Sequence, residues 1–119
     1  MRTLDRLLVF PGGAFFLLML AALLEVLGDA FFQSAVHRTS GLSRWLSLAA
    51  GVLVLSLYGL FVNLPQWDFG KLLGVYVVFF FIAAQVIAKM RFHQQMTPPI
   101  LVGGLLIVAG GAIISFWTV

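Results

Sequence analysis

The chain contains no cysteine and very little charge. Asp, Glu, Lys and Arg make up 9% of its 119 residues, against roughly 25% in an ordinary soluble domain. The absence of cysteine excludes a disulfide framework and a cysteine-based zinc site. So few charges cannot give each helix or strand a polar face, which argues against a soluble enzyme, a nucleic-acid-binding protein or a disordered tail. The net charge of +3 comes from scattered basic residues and does not indicate nucleic-acid binding.

Hydrophobic residues make up 62% of the chain and fall into long runs. A membrane-spanning helix needs about 20 apolar residues. The sequence predicts an all-α integral membrane protein with one four-helix domain over residues 14–119, its spans at 14–36, 45–64, 72–88 and 98–119. Thr97 and Pro98 fit the N-cap and the first turn of the last helix. The short connections leave no room for a soluble catalytic domain, so we do not expect an enzyme.

Residues 1–13 contain basic residues and an apolar patch before the break Pro11-Gly12-Gly13. We interpret them as an interfacial lead-in to the first span. A signal peptide is the alternative, but no A-x-A-like cleavage site follows.

The basic residues do not indicate a preferred orientation in the membrane. Four spans place Arg2, Arg6 and Lys71 on one side, and Arg38, Arg44, Lys89 and Arg91 on the other. The positive-inside rule depends on an asymmetry of Lys and Arg, and here it is almost absent. Two interpretations follow: a single orientation fixed by a mild bias or a partner, or insertion in both directions with pairing as an antiparallel dimer.

Two acids, Glu25 and Asp29, lie inside the first span. A charged side chain at the bilayer centre costs about 2.5–3.5 kcal/mol, and such residues commonly have a function. A spacing of four puts both acids on one helix face, continued by Gln33 and flanked by Gly28 and Phe32. We predict that this face borders the protein interior or an aqueous cavity and that the pair binds protons as a coupled unit. In the alternative, Asp29 lies near the interface and pairs with Arg38 or Arg44.

Other candidate residues lie in the third and fourth spans. Tyr76 and Phe80 could form a cavity wall, with the Tyr76 hydroxyl bonded to Glu25; an interfacial tyrosine is the alternative. Small residues allow close helix contact in lipid, so the glycines of the fourth span predict a dimer contact at Gly103, Gly104, Gly110 and Gly111. The two loop histidines, His37 and His93, lack neighbouring carboxylates, and we predict neither a metal site nor a cofactor.

The segment Leu24-Glu25-Val26-Leu27-Gly28 and the loop Ser40-Gly41-Leu42-Ser43-Arg44-Trp45 resemble the small multidrug resistance family. Phe69-Gly70-Lys71 with Tyr76 is similar to the YnfA-like branch of the same drug/metabolite transporter superfamily. The resemblance implies a bacterial inner-membrane protein that forms an antiparallel, dual-topology homodimer. It also implies proton-coupled export of organic or guanidinium-like cations, with Glu25 binding proton and substrate in turn. Asp29 departs from the family pattern, in which this position is usually uncharged.

Two other functions remain open from the residues alone. The chain could be a structural or accessory subunit of a larger membrane complex. It could also bind or flip a lipid or another amphiphile, for which the Phe-rich third span is suited.

Overall fold

The structure is a computed structural model that describes residues 11–117. This part of the chain forms four helices and no strand: α1 (Pro11–His37), α2 (Gly41–Val62), α3 (Phe69–Phe92) and α4 (Pro98–Phe116). All four are long and apolar enough to cross a membrane. The prediction of an all-helical integral membrane protein with four spanning helices is therefore confirmed.

The helices extend beyond several of the predicted bounds. Helix α1 begins at Pro11, because a proline in the first turn lacks only an N–H that has no helical partner there. Residues 11–13 therefore belong to α1, whereas the rest of the predicted lead-in lies outside the described residues. Helices α2 and α3 also begin earlier than predicted, and α3 continues to Phe92. Helix α4 begins at Pro98 as predicted, but Thr97 makes no side-chain cap hydrogen bond.

Helix α1 lies between two neighbours. It packs against α2 and α3, while α4 packs against α3. The bundle measures 52 × 41 × 20 Å, so its thinnest dimension is about two helix diameters. The buried core centres on Leu18, Ala21 and Ala22 of α1 with Val75 and Tyr76 of α3.

Two glycines bring α1 and α2 into close contact. A Cβ at Gly51 would lie 2.9 Å from the Phe32 ring and 3.2 Å from the carbonyl oxygen of Gly28. A Cβ at Gly28 would lie 2.6 Å from the Leu55 side chain. Neither position has room for a side chain, so the two glycines set the distance between these helices.

The glycines of α4 divide into two pairs with different surroundings. Gly104 lies against the Phe81 ring and Gly111 against Val78, both on α3 of the same chain. Gly103 and Gly110 have no atom within 4 Å of an added Cβ. The predicted dimer contact is therefore corrected for Gly104 and Gly111, which pack within the chain, and stays a prediction for Gly103 and Gly110.

The turn between α1 and α2 is held by Arg44. Its Nε donates to the carbonyl oxygen of Ala35 at 2.9 Å, and its Nη2 donates to that of Thr39 at 3.0 Å. Thr39 Oγ1 in turn donates to the carbonyl oxygen of Ser34 at 3.0 Å. The bond to Ala35 satisfies a carbonyl group in the last turn of α1, while the Ser34 carbonyl also accepts the backbone N–H of Arg38 at 2.9 Å.

Candidate functional site

The structure brings Glu25 and Tyr76 together. The Tyr76 hydroxyl donates a hydrogen bond of 2.8 Å to Oε1 of Glu25, joining α1 to α3. Tyr76 is buried, with 4% of its surface exposed, and belongs to the hydrophobic core. Tyr76 was predicted either to bond Glu25 or to lie at the membrane interface. The structure agrees with the first interpretation, since the Tyr76 hydroxyl is bonded to the Glu25 carboxylate.

A second tyrosine, which the sequence reasoning missed, completes the surroundings of Glu25. Tyr58 of α2 has its ring centroid 5.7 Å from that of Tyr76, and its hydroxyl lies beside the Glu25 carboxylate. The chain has only two tyrosines. A tyrosine hydroxyl inside an apolar helix needs a hydrogen-bonding partner. The position of Tyr58 within the second span could therefore have marked it as a candidate partner of Glu25.

Aromatic rings form one side of the site. Phe80 follows Tyr76 by one turn of α3, and their ring centroids lie 6.3 Å apart. Aromatic faces attract cations electrostatically. The Glu25 carboxylate thus lies beside a cluster of aromatic rings.

A cavity of about 270 Å³ opens between α1 and α3, one turn along α1 from Glu25. Its polar lining residues are Asp29 and Gln33 of α1 and Gln94 beyond α3. Phe80 also lines it, so the site around Glu25 and the cavity share a wall. Asp29, Gln33 and Phe80 are thus found where the sequence analysis expected a cavity.

Gly28 and Phe32, predicted to line the cavity, lie elsewhere. Gly28 faces Leu55 of α2, and the Phe32 ring faces Gly51. The prediction is corrected because α2 packs on this side of α1, which the spacing of residues along α1 alone does not reveal.

Asp29 is exposed and lines the cavity. Neither Arg38 nor Arg44, its two predicted partners, is bonded to it in the described part of the chain. Arg44 binds the carbonyl groups at the end of α1. The guanidinium of Arg38 lies 4.5 Å from the centroid of the Phe92 ring. A carboxylate in this position needs water, a protein partner or a cationic ligand.

Within residues 11–117 no group of three or more His, Cys, Asp and Glu side chains is placed to hold a metal ion. The polar groups at the site and the cavity are the carboxylates of Glu25 and Asp29, two phenol hydroxyls and the amides of Gln33 and Gln94. They provide a place for a proton or a single cationic group.

No family model, curated protein or solved structure compared with this chain matches it. The described residues thus form four helices long and apolar enough to cross a membrane, with a tyrosine hydroxyl bonded to a carboxylate between two of them.

Proposed function

We propose that this protein is a small transporter that exports a small organic or guanidinium-like cation in exchange for protons. The observation that carries the proposal is the hydrogen bond from Tyr76 to Glu25 inside the helix bundle, beside an open cavity. The resemblance to the small multidrug resistance and YnfA-like proteins supports the same function.

Glu25 provides the coupling. An ionised carboxylate at this depth is costly unless something neutralises it. The Tyr76 hydroxyl lowers that cost in part by donating to the carboxylate. A proton or a bound cation removes the rest, and one carboxylate has room for only one of them, so the two alternate.

The surroundings favour an organic cation over a metal ion. Ca²⁺ takes six to eight oxygen ligands and Mg²⁺ six in octahedral geometry, more than the side chains around Glu25 offer. Tyr58, Tyr76 and Phe80 instead offer ring faces, which bind diffuse organic cations. We assign Asp29 the role of a second carboxylate that draws the cation into the cavity.

We propose further that two copies pair as an antiparallel homodimer of dual topology. Asp29 and Gln33 are exposed on a single chain, and a second copy would shield them from lipid. Gly103 and Gly110 leave one face of α4 open for close helix contact. The even distribution of Lys and Arg agrees with insertion in both directions.

An apolar groove favours a second candidate function, the movement of an amphiphile. It has a volume of about 220 Å³ and lies between α3 and α4. Ser115 is the one polar residue among those lining it, and the rest are Phe15, Val75, Val78, Phe79, Val108, Gly111, Ala112 and Phe116. A cation with an alkyl tail would then be transported in preference to the same cation without one.

Proton-coupled exchange is tested with purified protein in liposomes that contain a pH-sensitive dye. We expect that adding guanidinium or a small quaternary ammonium ion to one side drives protons to the other. Protein-free liposomes and liposomes with a collapsed proton gradient are the controls. If none of these cations, with or without an alkyl tail, moves protons above the controls, the proposed function is wrong.

The antiparallel dimer is tested by disulfide cross-linking, since the chain has no cysteine of its own. Gly103 and Gly110 lie about equally far from the middle of α4 (Pro98–Phe116). In an antiparallel pair, position 103 of one copy therefore lies near position 110 of the other. We expect co-expressed Gly103→Cys and Gly110→Cys chains to cross-link with each other.

A parallel pair would instead link each variant to itself. Gly59→Cys is the matched control, because Gly59 is also an open glycine but lies on α2. Cross-linking of Gly59→Cys as readily as the α4 variants, or of none of them, would contradict a dimer formed through α4.

A further inference from the structure

Two arginines share one aromatic ring at the rim of the cavity. The guanidinium carbons of Arg38 and Arg91 lie 4.5 Å and 5.9 Å from the centroid of the Phe92 ring. Phe92 also lines the cavity, together with the nearby Gln94. The ends of α1 and α3 thus bring two positive groups to the cavity entrance.

Arg91 is held in place by contacts within the protein. Its Nη2 donates to Oγ of Ser34 at 3.1 Å, and Ser34 is 5% exposed. Its guanidinium carbon also lies 5.6 Å from the centroid of the Phe31 ring. Because Ser34 takes one of the five N–H donors of a guanidinium, and Arg91 is exposed, the remaining donors can bind a ligand.

Basic residues cluster at this end of the bundle. Lys89 lies near Arg91 on α3, and His37 and His93 follow at the ends of α1 and α3. Among the acidic residues within 11–117, Asp29 lines the same cavity as Phe92 but lies nine residues before Arg38, and none lies in the segments that contain Arg38 and Arg91. Two guanidinium groups near one ring repel each other, and an anion between them would relieve this repulsion.

We propose that Arg38 and Arg91 form a binding site for a phosphate group, supplied by an anionic phospholipid headgroup or by a soluble organic phosphate. A guanidinium binds a phosphate through two parallel hydrogen bonds. Basic pockets between spanning helices at the membrane surface commonly hold lipid headgroups. The bound phosphate would lie at the rim of the cavity, and this site does not depend on the transported substrate.

Arg44 is a useful contrast within the same region. Two of its N–H donors bind the carbonyl oxygens of Ala35 and Thr39 at 2.9 and 3.0 Å, and these directed hydrogen bonds fix its guanidinium against the α1–α2 turn. Arg38 contacts the face of Phe92, and an aromatic face does not fix a guanidinium by directed hydrogen bonds. Arg38 can therefore turn its N–H groups toward a ligand without breaking the fold.

The test is a lipid titration of the purified protein, followed by native mass spectrometry. Phosphatidylglycerol is compared with phosphatidylcholine, and glycerol phosphate is the soluble probe. We expect phosphatidylglycerol to bind more tightly than phosphatidylcholine. We expect Arg38→Gln and Arg91→Gln each to weaken its binding roughly 10-fold, as the loss of a hydrogen bond to a charged group does.

Two further variants distinguish a specific phosphate site from a general electrostatic attraction between the lipid and the basic residues. Lys89→Gln removes a charge from the same end and is expected to have a smaller effect, at most about 5-fold. The double variant Arg38→Lys/Arg91→Lys keeps the charge but loses the paired hydrogen bonds, and we expect it to bind clearly less well than the wild type. Thermal unfolding of each variant monitors the fold, and Arg38→Gln tests the site by itself if Arg91→Gln does not fold.

Comparing phosphatidylglycerol with glycerol phosphate shows whether the bound phosphate belongs to a lipid or to a soluble ligand. Arginine-dependent binding of phosphatidylglycerol alone identifies a lipid site, and arginine-dependent binding of glycerol phosphate identifies a soluble ligand. The proposal is overturned if the wild type binds phosphatidylglycerol no more tightly than the zwitterionic phosphatidylcholine and shows no arginine-dependent binding of glycerol phosphate. It is also overturned if the three single variants lose binding equally, or if the double lysine variant binds as well as the wild type.

Discussion

Glu25→Gln is expected to reduce gradient-driven cation transport by about 100-fold or more, the scale on which a positioned proton-transfer group commonly contributes. Glutamine has nearly the same volume and keeps an oxygen that can accept the Tyr76 hydrogen bond. The variant should therefore fold normally while losing the group that exchanges a proton for a cation. Dye-reported proton movement in liposomes measures the loss.

Three variants provide the comparison. Asp68→Asn removes an acid just before α3 and outside the site, and should transport like the wild type. Tyr76→Phe keeps the ring packing but removes the hydroxyl, and we expect roughly a 10-fold loss, the scale of a hydrogen bond to a charged group. Asp29→Asn should fall between Asp68→Asn and Glu25→Gln. Transport by Glu25→Gln at the wild-type rate would refute the role that we propose for this carboxylate.

Gly51→Ala is expected to lower the free energy of unfolding by about 1–3 kcal/mol through overpacking. The new methyl group would lie 2.9 Å from the Phe32 ring and 3.2 Å from the Gly28 carbonyl oxygen. The ring can move, but the backbone of α1 can shift only by separating the two helices. Thermal unfolding of the purified protein in detergent measures the change.

Gly59→Ala is the matched control on the same helix. Nothing lies within 4 Å of a Cβ at Gly59, so alanine there should be neutral or stabilise α2 by up to about 1 kcal/mol. Equal unfolding temperatures for the two alanine variants would show that α1 and α2 are not in close contact at Gly51.

The four helices were predictable because each requires one long apolar run, which the sequence shows without reference to its neighbours. Helix ends were less predictable. The hydropathy of the third span falls at Lys71 and Lys89, yet α3 includes both residues, because long basic side chains can reach the membrane surface from within a helix. The Pro11-Gly12-Gly13 segment suggested a break, although a first-turn proline is compatible with the helix that the structure has.

The site was predictable where it depended on one helix and not where it depended on packing. Glu25 and Asp29 are unusual in an apolar span by themselves, and their spacing of four fixes their common face. Tyr58 was missed because its relevance depends on which side of α2 meets α1. Gly28 and Phe32 were predicted to line the cavity for the same reason. They pack against α2, and a single sequence does not show which neighbouring helix covers which face of α1.

The close glycine contacts join the four helices in two pairs. Gly28 and Gly51 join α1 to α2, and Gly104 and Gly111 join α3 to α4, so each pair of helices is held by close contact. The hydrogen bond from Tyr76 to Glu25 crosses from one pair to the other. The buried core around Tyr76 also lies between α1 and α3, so a change in what Glu25 binds acts directly on the packing that holds the two pairs of helices together.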